Sequence, residues 1–319
     1  MTDLVTFGET MLRLSPPQQE RLETADQYDV HIAGAESNVA VAAQRLGLDT
    51  AWLSKLPDSP VGRRVTGELR RHGVTVEVCW DDSDDGRQGT YYLEQGDIPR
   101  GNEVIYDRAG ASITTLATGE VPEGLVEDAD AIHTSGITPA LSDRVETTTA
   151  DLLERASDAG TTTCFDLNYR SKLWSHAEAQ SVVTELFPDI DVLVVAQRDA
   201  EQVLGRTGDA VDVAASLTAD HGFDVTVVTR GADGVVAATP DDEYVQGSFE
   251  ASDAHPVGSG DSFVGGFLSQ YLTTGSVPEG LEWGAATAAL KRSVPGDIAV
   301  VSPSEVRELI RGETAAISR

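Results

Sequence analysis

One carboxylate sits where a small glycine-punctuated turn runs into a helix-like apolar segment, in Pro256-Val257-Gly258-Ser259-Gly260-Asp261 followed by Ser262-Phe263-Val264-Gly265-Gly266-Phe267. Backbone N–H groups at a helix start are unpaired and carry the positive end of the helix dipole. Such a turn can therefore hold a phosphate or a developing oxyanion. Gly258 and Gly260, with Ser259 between them, let the main chain approach closely. Asp261 then lies beside the phosphate, placed to take a proton from an attacking hydroxyl. The same carboxylate could simply cap the helix, and on these residues alone the two readings stand level.

Further polar clusters lie along the chain. Ala33-Gly34-Ala35-Glu36-Ser37-Asn38 opens a second helix, bracketed by Gly34 and Asn38, where an Asn is most often structural. Tyr91, Tyr106 and Arg108 fall on two alternating segments and can share one face, although each alone is also an ordinary exposed strand residue. Asp166-Leu167-Asn168-Tyr169-Arg170 and Thr229-Arg230-Gly231-Ala232-Asp233-Gly234 each follow a short apolar run.

The elements that must position these residues alternate. Apolar runs at 4–8, 51–54, 74–80, 131–133, 162–165, 191–195 and 225–228 read as strands. Stretches at 39–46, 61–71, 145–159, 177–187, 200–204, 211–221, 281–292 and 304–310 carry helical spacing. Residues 235–238 and 244–245 suggest an edge hairpin. Strand-helix alternation implies an α/β fold with a parallel sheet covered on both faces, whose ligands gather at the carboxyl ends of the strands. Each polar cluster falls at such an end. Two excursions interrupt the rhythm, at about 10–34 and 88–109. The first is too polar for a central strand and could form an exposed sheet or flap that needs a partner surface, and the second reads as two antiparallel strands.

The 319 residues carry 53 acidic against 23 basic side chains, a net charge of −30, with only three lysines, Lys55, Lys172 and Lys291. Such a surface repels nucleic acid and anionic membrane, and its self-repulsion calls for screening salt. Because the acids are spread along the chain, the balance reads as adaptation to a high-salt cytoplasm rather than an acidic binding tail. No leader pattern and no long apolar run interrupts that cytoplasmic reading. Cys79 and Cys164 lack metal-ligand spacing and read as reduced core residues.

There is no GxxxxGK followed by Ser or Thr, no GxGxxG between the first strand and the first helix, and no protein-kinase motif set. A late anion-binding turn with an adjacent acid remains, preceded by Gly231-x-x-Gly234, a combination suited to phosphoryl transfer to an alcohol. The segments 33–40 and 256–261 resemble the two signatures of the ribokinase-like (PfkB) carbohydrate kinases, in the family's order and spacing across essentially the whole chain. Residues 106–112, 133–141 and 166–170 resemble the 2-keto-3-deoxygluconate kinases among them.

That resemblance implies a single ribokinase-like domain over residues 1–319, with a Rossmann-like parallel central sheet, helices on both faces and a small β lid built from the two excursions. It makes Asp261 the base and the amides of residues 258–261 the anion hole. Gly34, Asn38, Tyr91, Tyr106, Arg108, Ile137, Arg170 and Asp297 become sugar-acid contacts. Asn168, Thr229, Gly231 and Gly234, with Gly258 and Gly260, become the nucleotide side. It implies ATP with Mg²⁺, leaves K⁺ open as a second cation, and suggests 6-phosphorylation of 2-keto-3-deoxygluconate, or its galactonate counterpart, in an Entner–Doudoroff-type route. Arg108 and Arg170 offer planar forks that match a carboxylate, which a neutral sugar would not need. A surface ion pair is the plain alternative for each.

Two positions depart from the family pattern. Residues 196–199 read Ala196-Gln197-Arg198-Asp199 where an Asn-x-x-Glu is usual, and His255 stands where an acid usually opens the second signature. The metal ligands are left unassigned. A fructose-1-phosphate or other sugar kinase, and a catalytically silent sugar sensor, are the alternative functions. A homo-oligomer formed through the lid is expected, because an open apolar face is costly.

Overall fold

The computed structural model describes residues 2–17, 20–96, 99–252 and 254–313. Strand β1 (Leu4–Phe7) starts the main sheet. It is followed by β2 (Met11–Ser15) and β3 (Asp29–Ala33), helix α1 (Ala35–Leu46), β4 (Thr50–Pro57), α2 (Pro60–Arg71) and β5 (Thr75–Asp81). The second excursion supplies β6 (Thr90–Glu94) and β7 (Glu103–Asp107). Then come β8 (Ala131–Ser135), α3 (Asp143–Ala159), β9 (Thr162–Asp166), α4 (His176–Leu186), β10 (Val192–Ala196), α5 (Gln197–Gln202), α6 (Ala210–His221) and β11 (Val225–Thr229). The chain closes with β12 (Val235–Ala238), β13 (Glu243–Gln246), α7 (Ser259–Thr274), α8 (Val277–Lys291) and α9 (Pro303–Ile310).

The large sheet runs β13-β12-β11-β10-β9-β8-β1-β4-β5, parallel from β5 to β11 with an antiparallel hairpin at one edge. Its strands are apolar on both faces because helices cover both. Along β10, Leu193 and Val195 pack toward α3, α4 and α6, while Val192 and Val194 pack toward α1, α7 and α8. The strand order builds outward from β1 through β4 and β5, then returns to the other side of β1 at β8. The crevice beyond the ends of β1 and β8 is thus a topological switch point, where open α/β sheets bind ligands.

A second sheet, β3-β2-β6-β7, assembles from the two excursions. Tyr91 pairs directly with Tyr106, and Arg13 and His31 complete the same cross-strand row. The next row, Val30, Leu14, Tyr92 and Ile105, points to the opposite face.

Boundaries shift where capping decides them. Helix α1 begins at Ala35, four residues before its apolar spacing is legible, because Gly34 supplies an extended N-cap. Cys164 is buried as expected. Cys79 is only half-buried at the margin of the core, its thiol donating to the Glu120 carbonyl 3.2 Å away. Among the described residues no helix is long and apolar enough to cross a membrane.

Candidate active site

Helix α7 is held by its neighbours before any ligand is considered. A Cβ on Gly265 would stand 2.5 Å from the Ala42 Cβ of α1, and one on Gly266 would stand 2.6 Å from the Thr287 hydroxyl of α8. These two glycines of the apolar segment are therefore contact points that let three helices close on one another. Gly258, the N-cap, has φ +80° and sits so tightly that a Cβ would lie 2.0 Å from the Asp297 carbonyl oxygen. Gly260 has open space instead.

Not every amide of this turn is available to a ligand. Ser259 N–H donates to the Pro256 carbonyl (3.2 Å), as does its hydroxyl (2.8 Å), and Ser262 N–H donates to Gly258 (3.0 Å). Among the described residues, the Gly260 and Asp261 amides have no such partner. They point outward at the positive end of a sixteen-residue helix.

Two cavities flank this helix start, and Gly260 lines both. The first, about 440 Å³, is lined by Gly34, Asn38, Tyr91, Tyr106, Arg108, Ile137, Asp166, Asn168, Arg170, Gly258, Asp261 and Asp297, among others. The second, about 450 Å³, is lined by Thr229, Gly231, Gly234, Phe249, Ser259 and Phe263, with Ala285, Ala288 and Ala289 of α8 as a wall of small side chains. Gly231 and Gly234 both have positive φ, and a Cβ on Gly234 would stand 2.3 Å from the Gln246 carbonyl.

The structure thus gathers the expected residues into two groups, and two of those assigned to the nucleotide side, Asn168 and Gly258, line the first cavity. Asn168 follows the end of β9 in a tight turn, with φ +36°, and its N–H donates to Asp166 Oδ1 at 3.2 Å.

Side-chain partners assign narrower roles than spacing could. Asn38 Nδ2 donates to Asp261 Oδ2 at 2.7 Å, so it orients that carboxylate. Burial pushes the Asp261 carboxyl up to about 6, while the Asn38 hydrogen bond and the Arg170 charge oppose the rise. Asp297 is buried, ion-paired to Arg13 at 2.7 Å and accepting from the Tyr91 hydroxyl at 3.3 Å. Arg108 pairs with buried Glu9 and stacks over the Tyr106 ring, so much of its charge is already answered. Arg170 makes no ion pair among the described residues. Its only described hydrogen bond is from Nη1 to the Tyr169 carbonyl, at 3.1 Å. Ile137 N–H donates to the Ser135 hydroxyl (3.2 Å), and that hydroxyl donates to Glu36 (2.6 Å).

Several site groups were not singled out from the sequence. Asp166 is half-buried, and its carboxyl is pushed up to about 8 by desolvation, with Asp261 and Asp199 adding to the rise and Arg170 opposing it. Buried Glu36, held by Ser135 and Thr138, is pushed up to about 7. Arg13 and Arg198 also belong here: one anchors Asp297, the other edges the cavity. The signal for Asp166 was present, an acid ending an apolar run, but only the sheet order shows which strand ends meet.

Among the described residues, no group of three His, Cys, Asp or Glu converges as a metal site. Asp261 and Asp199 both repel a charge on Asp166, a setting that a divalent cation would relieve. They suit Mg²⁺ carried in on phosphate oxygens and water rather than caged by protein. Asp199, at the position that departs from the family pattern, is buried and paired with Arg198 at 2.9 Å.

Residues 1–304 match the pfkB family carbohydrate kinase description. A 2-dehydro-3-deoxygalactonokinase of Haloferax volcanii is 56% identical over 99% of this chain and 99% of its own. The crystal structure of a Thermotoga maritima 2-dehydro-3-deoxygluconokinase superposes with a TM-score of 0.91 at 33% identity, covering 97% of this chain and 98% of that one. A Xylella fastidiosa fructokinase with bound ATP shares the fold, with a TM-score of 0.85 at 20% identity over 99% of this chain and 100% of that one.

Proposed function

We propose that this chain, which belongs to the pfkB family of carbohydrate kinases, transfers the γ-phosphoryl group of ATP to the terminal hydroxyl of a 2-keto-3-deoxy sugar acid. Both the galactonate-derived and the gluconate-derived substrate are included, because the 56% identical relative is named for the first and the 33% identical structure for the second. The observation that carries the reading is the pair of cavities meeting at Gly260, one bearing Arg108 and Arg170 beside Asp261, the other walled by the alanines of α8. A flat base fits between Ala285, Ala288, Ala289 and the Gly231–Gly234 turn. Its phosphates then reach the open amides of Gly260 and Asp261.

In this arrangement Asp261 accepts the proton of the sugar hydroxyl as oxygen attacks phosphorus. The helix-start amides hold charge on the transferring group, since phosphoryl transfer asks the protein mainly for position and electrostatics. Asn38 keeps the carboxylate aimed. Mg²⁺, bound with ATP, would neutralise phosphate charge, and Asp166, beside Asp261 and Asp199, would hold it through water. The β2-β3-β6-β7 sheet closes the sugar side, with Tyr91, Tyr106 and Arg108 on its inner face and the single domain spanning the chain.

The test is ADP release by the purified enzyme in multimolar KCl over a panel of sugar acids, sugar phosphates and neutral sugars. Turnover with the 2-keto-3-deoxy acids above all others is expected. Preference for a sugar phosphate would favour the fructose-1-phosphate alternative, and binding without ADP release would favour a sensor.

The lid's outer face completes the proposal, as the contact between two copies of this cytoplasmic enzyme. Leu14, Val30, Tyr92 and Ile105 form an uncharged row there, with Val30 and Ile105 exposed and Tyr28 edge-on to Tyr92 at 6.1 Å. On a chain of net charge −30 a second copy is repelled almost everywhere else, and a twofold axis makes such a row complementary to itself. Sedimentation should give a dimer at high salt that Ile105→Glu splits; a wild-type monomer would count against it.

A further inference from the structure

We infer that the ammonium of Lys291 is a resident cation that locks the phosphate-facing turn onto the segment carrying Asp297, in a carbonyl-lined position that a free monovalent ion would otherwise fill. The inference rests on the kinase reading above. Lys291 ends α8, is fully buried and is one of only three lysines in the chain. Its Nζ donates to the His255 carbonyl at 3.1 Å and to the Val294 carbonyl at 3.2 Å. His255 leads directly into Pro256-Val257-Gly258, and Val294 precedes Asp297 by three residues. The two segments meet again where Gly258 sits against the Asp297 carbonyl. One buried charge therefore ties together the turn that holds phosphate and the loop that carries an acid of the sugar cavity.

Main-chain carbonyls converging on a cation are how proteins replace the hydration shell of a potassium ion. Here the cation is covalently attached. Burying an ammonium is costly unless it is compensated, and desolvation pulls Lys291 down to about 8 even though Asp297 and Asp261 attract it. A lysine needed only for packing could be replaced by an apolar chain of similar length with no loss, or with a gain, of stability. His255, standing where the family pattern expects an acid, contributes through its backbone, so its side-chain identity is free.

Wild-type enzyme assayed at one multimolar ionic strength in KCl, NaCl and CsCl should keep kcat within about threefold, the spread of general screening. Lys291→Met should lower kcat about 10²-fold, the effect of a small misplacement of reacting groups, with KM for ATP little changed and the melting temperature equal or higher. Lys291→Ala should lose turnover likewise and regain it on addition of n-propylammonium, which restores the missing atoms. A wild-type requirement for K⁺ at equal ionic strength would overturn the inference, as would Lys291→Met with unchanged kcat, whatever its melting temperature. Should Lys291→Ala not fold, the salt series and the Met variant still decide. Wild-type enzyme inactive in every salt would overturn the kinase reading, and this inference with it.

Discussion

Asp261→Asn is expected to lower turnover by about 10³-fold, within the range that general-base catalysis contributes, while ATP still binds. The substitution keeps the shape of the side chain and leaves an oxygen to accept from Asn38 Nδ2, now 2.7 Å from the carboxylate. The open amides of Gly260 and Asp261 are main-chain groups and stay in place. Coupled ADP release measures the loss, and calorimetric titration with ATP shows that the phosphate turn is intact. Turnover within about tenfold of wild type would remove Asp261 from the role of base.

The same variant separates catalysis from folding. Burial raises the Asp261 carboxyl to about 6, above its ordinary value, so the folded state holds the proton more tightly than the unfolded chain. Its stabilising contribution is present at low pH and is lost as pH rises through about 6. At neutral pH the native carboxylate is therefore a burden that Asn removes, and the melting temperature there should not fall. For activity the sign reverses, because a base must be unprotonated: kcat/KM should rise with pH through an acid limb near 6. Asp261 faces Asp166 and Glu36, which are pushed higher, so the limb belongs to the cluster, with Asp261 the first to ionise. Asn38→Ala, by removing the donor that favours the charged form, should move the limb to higher pH.

Periodicity was enough to read the alternation of strands and helices, because strands buried on both faces are short continuous apolar runs bounded by polar ends. The two excursions were legible for the opposite reason: they alternate, as strands with one open face do. Pairings that depend on chain return were not legible. Nothing local in Asn38 says that its amide will meet a carboxylate 223 positions later. That meeting follows from Gly265, whose missing side chain lets α7 lie against α1. The resemblance placed Asn168 near the phosphates, and only the fold shows that its turn opens on the cavity it shares with Asp261 and Arg170.

Lys291 and Arg13 escaped for a related reason. A cation inside a helical or alternating pattern reads as solvated, and only burial together with its carbonyl or carboxylate partners marks it otherwise. The acid excess was legible in composition alone, and it sharpened the weight of every arginine near the strand ends without telling which of them already had partners.

That distinction decides the second large effect. Arg170→Leu is expected to raise KM for a 2-keto-3-deoxy sugar acid by about 10–100-fold, the worth of a charge-assisted hydrogen bond, and to leave KM for any neutral sugar that turns over nearly unchanged. Arg108 is the weaker candidate because Glu9 already answers it, and burial pushes the Glu9 carboxyl upward even with that arginine beside it. Removing Arg108 would strand Glu9 and disturb the lid, so its loss should affect acid and neutral sugars alike. Arg170 has no carboxylate partner among the described residues, lines the cavity proposed for the sugar, and holds down the carboxyls of both Asp166 and Asp261. Its loss should therefore also shift the acid limb of kcat/KM upward, whereas a partner that served only the substrate would leave that limb alone. Steady-state kinetics on a sugar acid and a neutral sugar, each across pH, reads both effects from one variant. Equal KM increases for the two substrates would show that the guanidinium shapes the cavity without recognising a carboxylate.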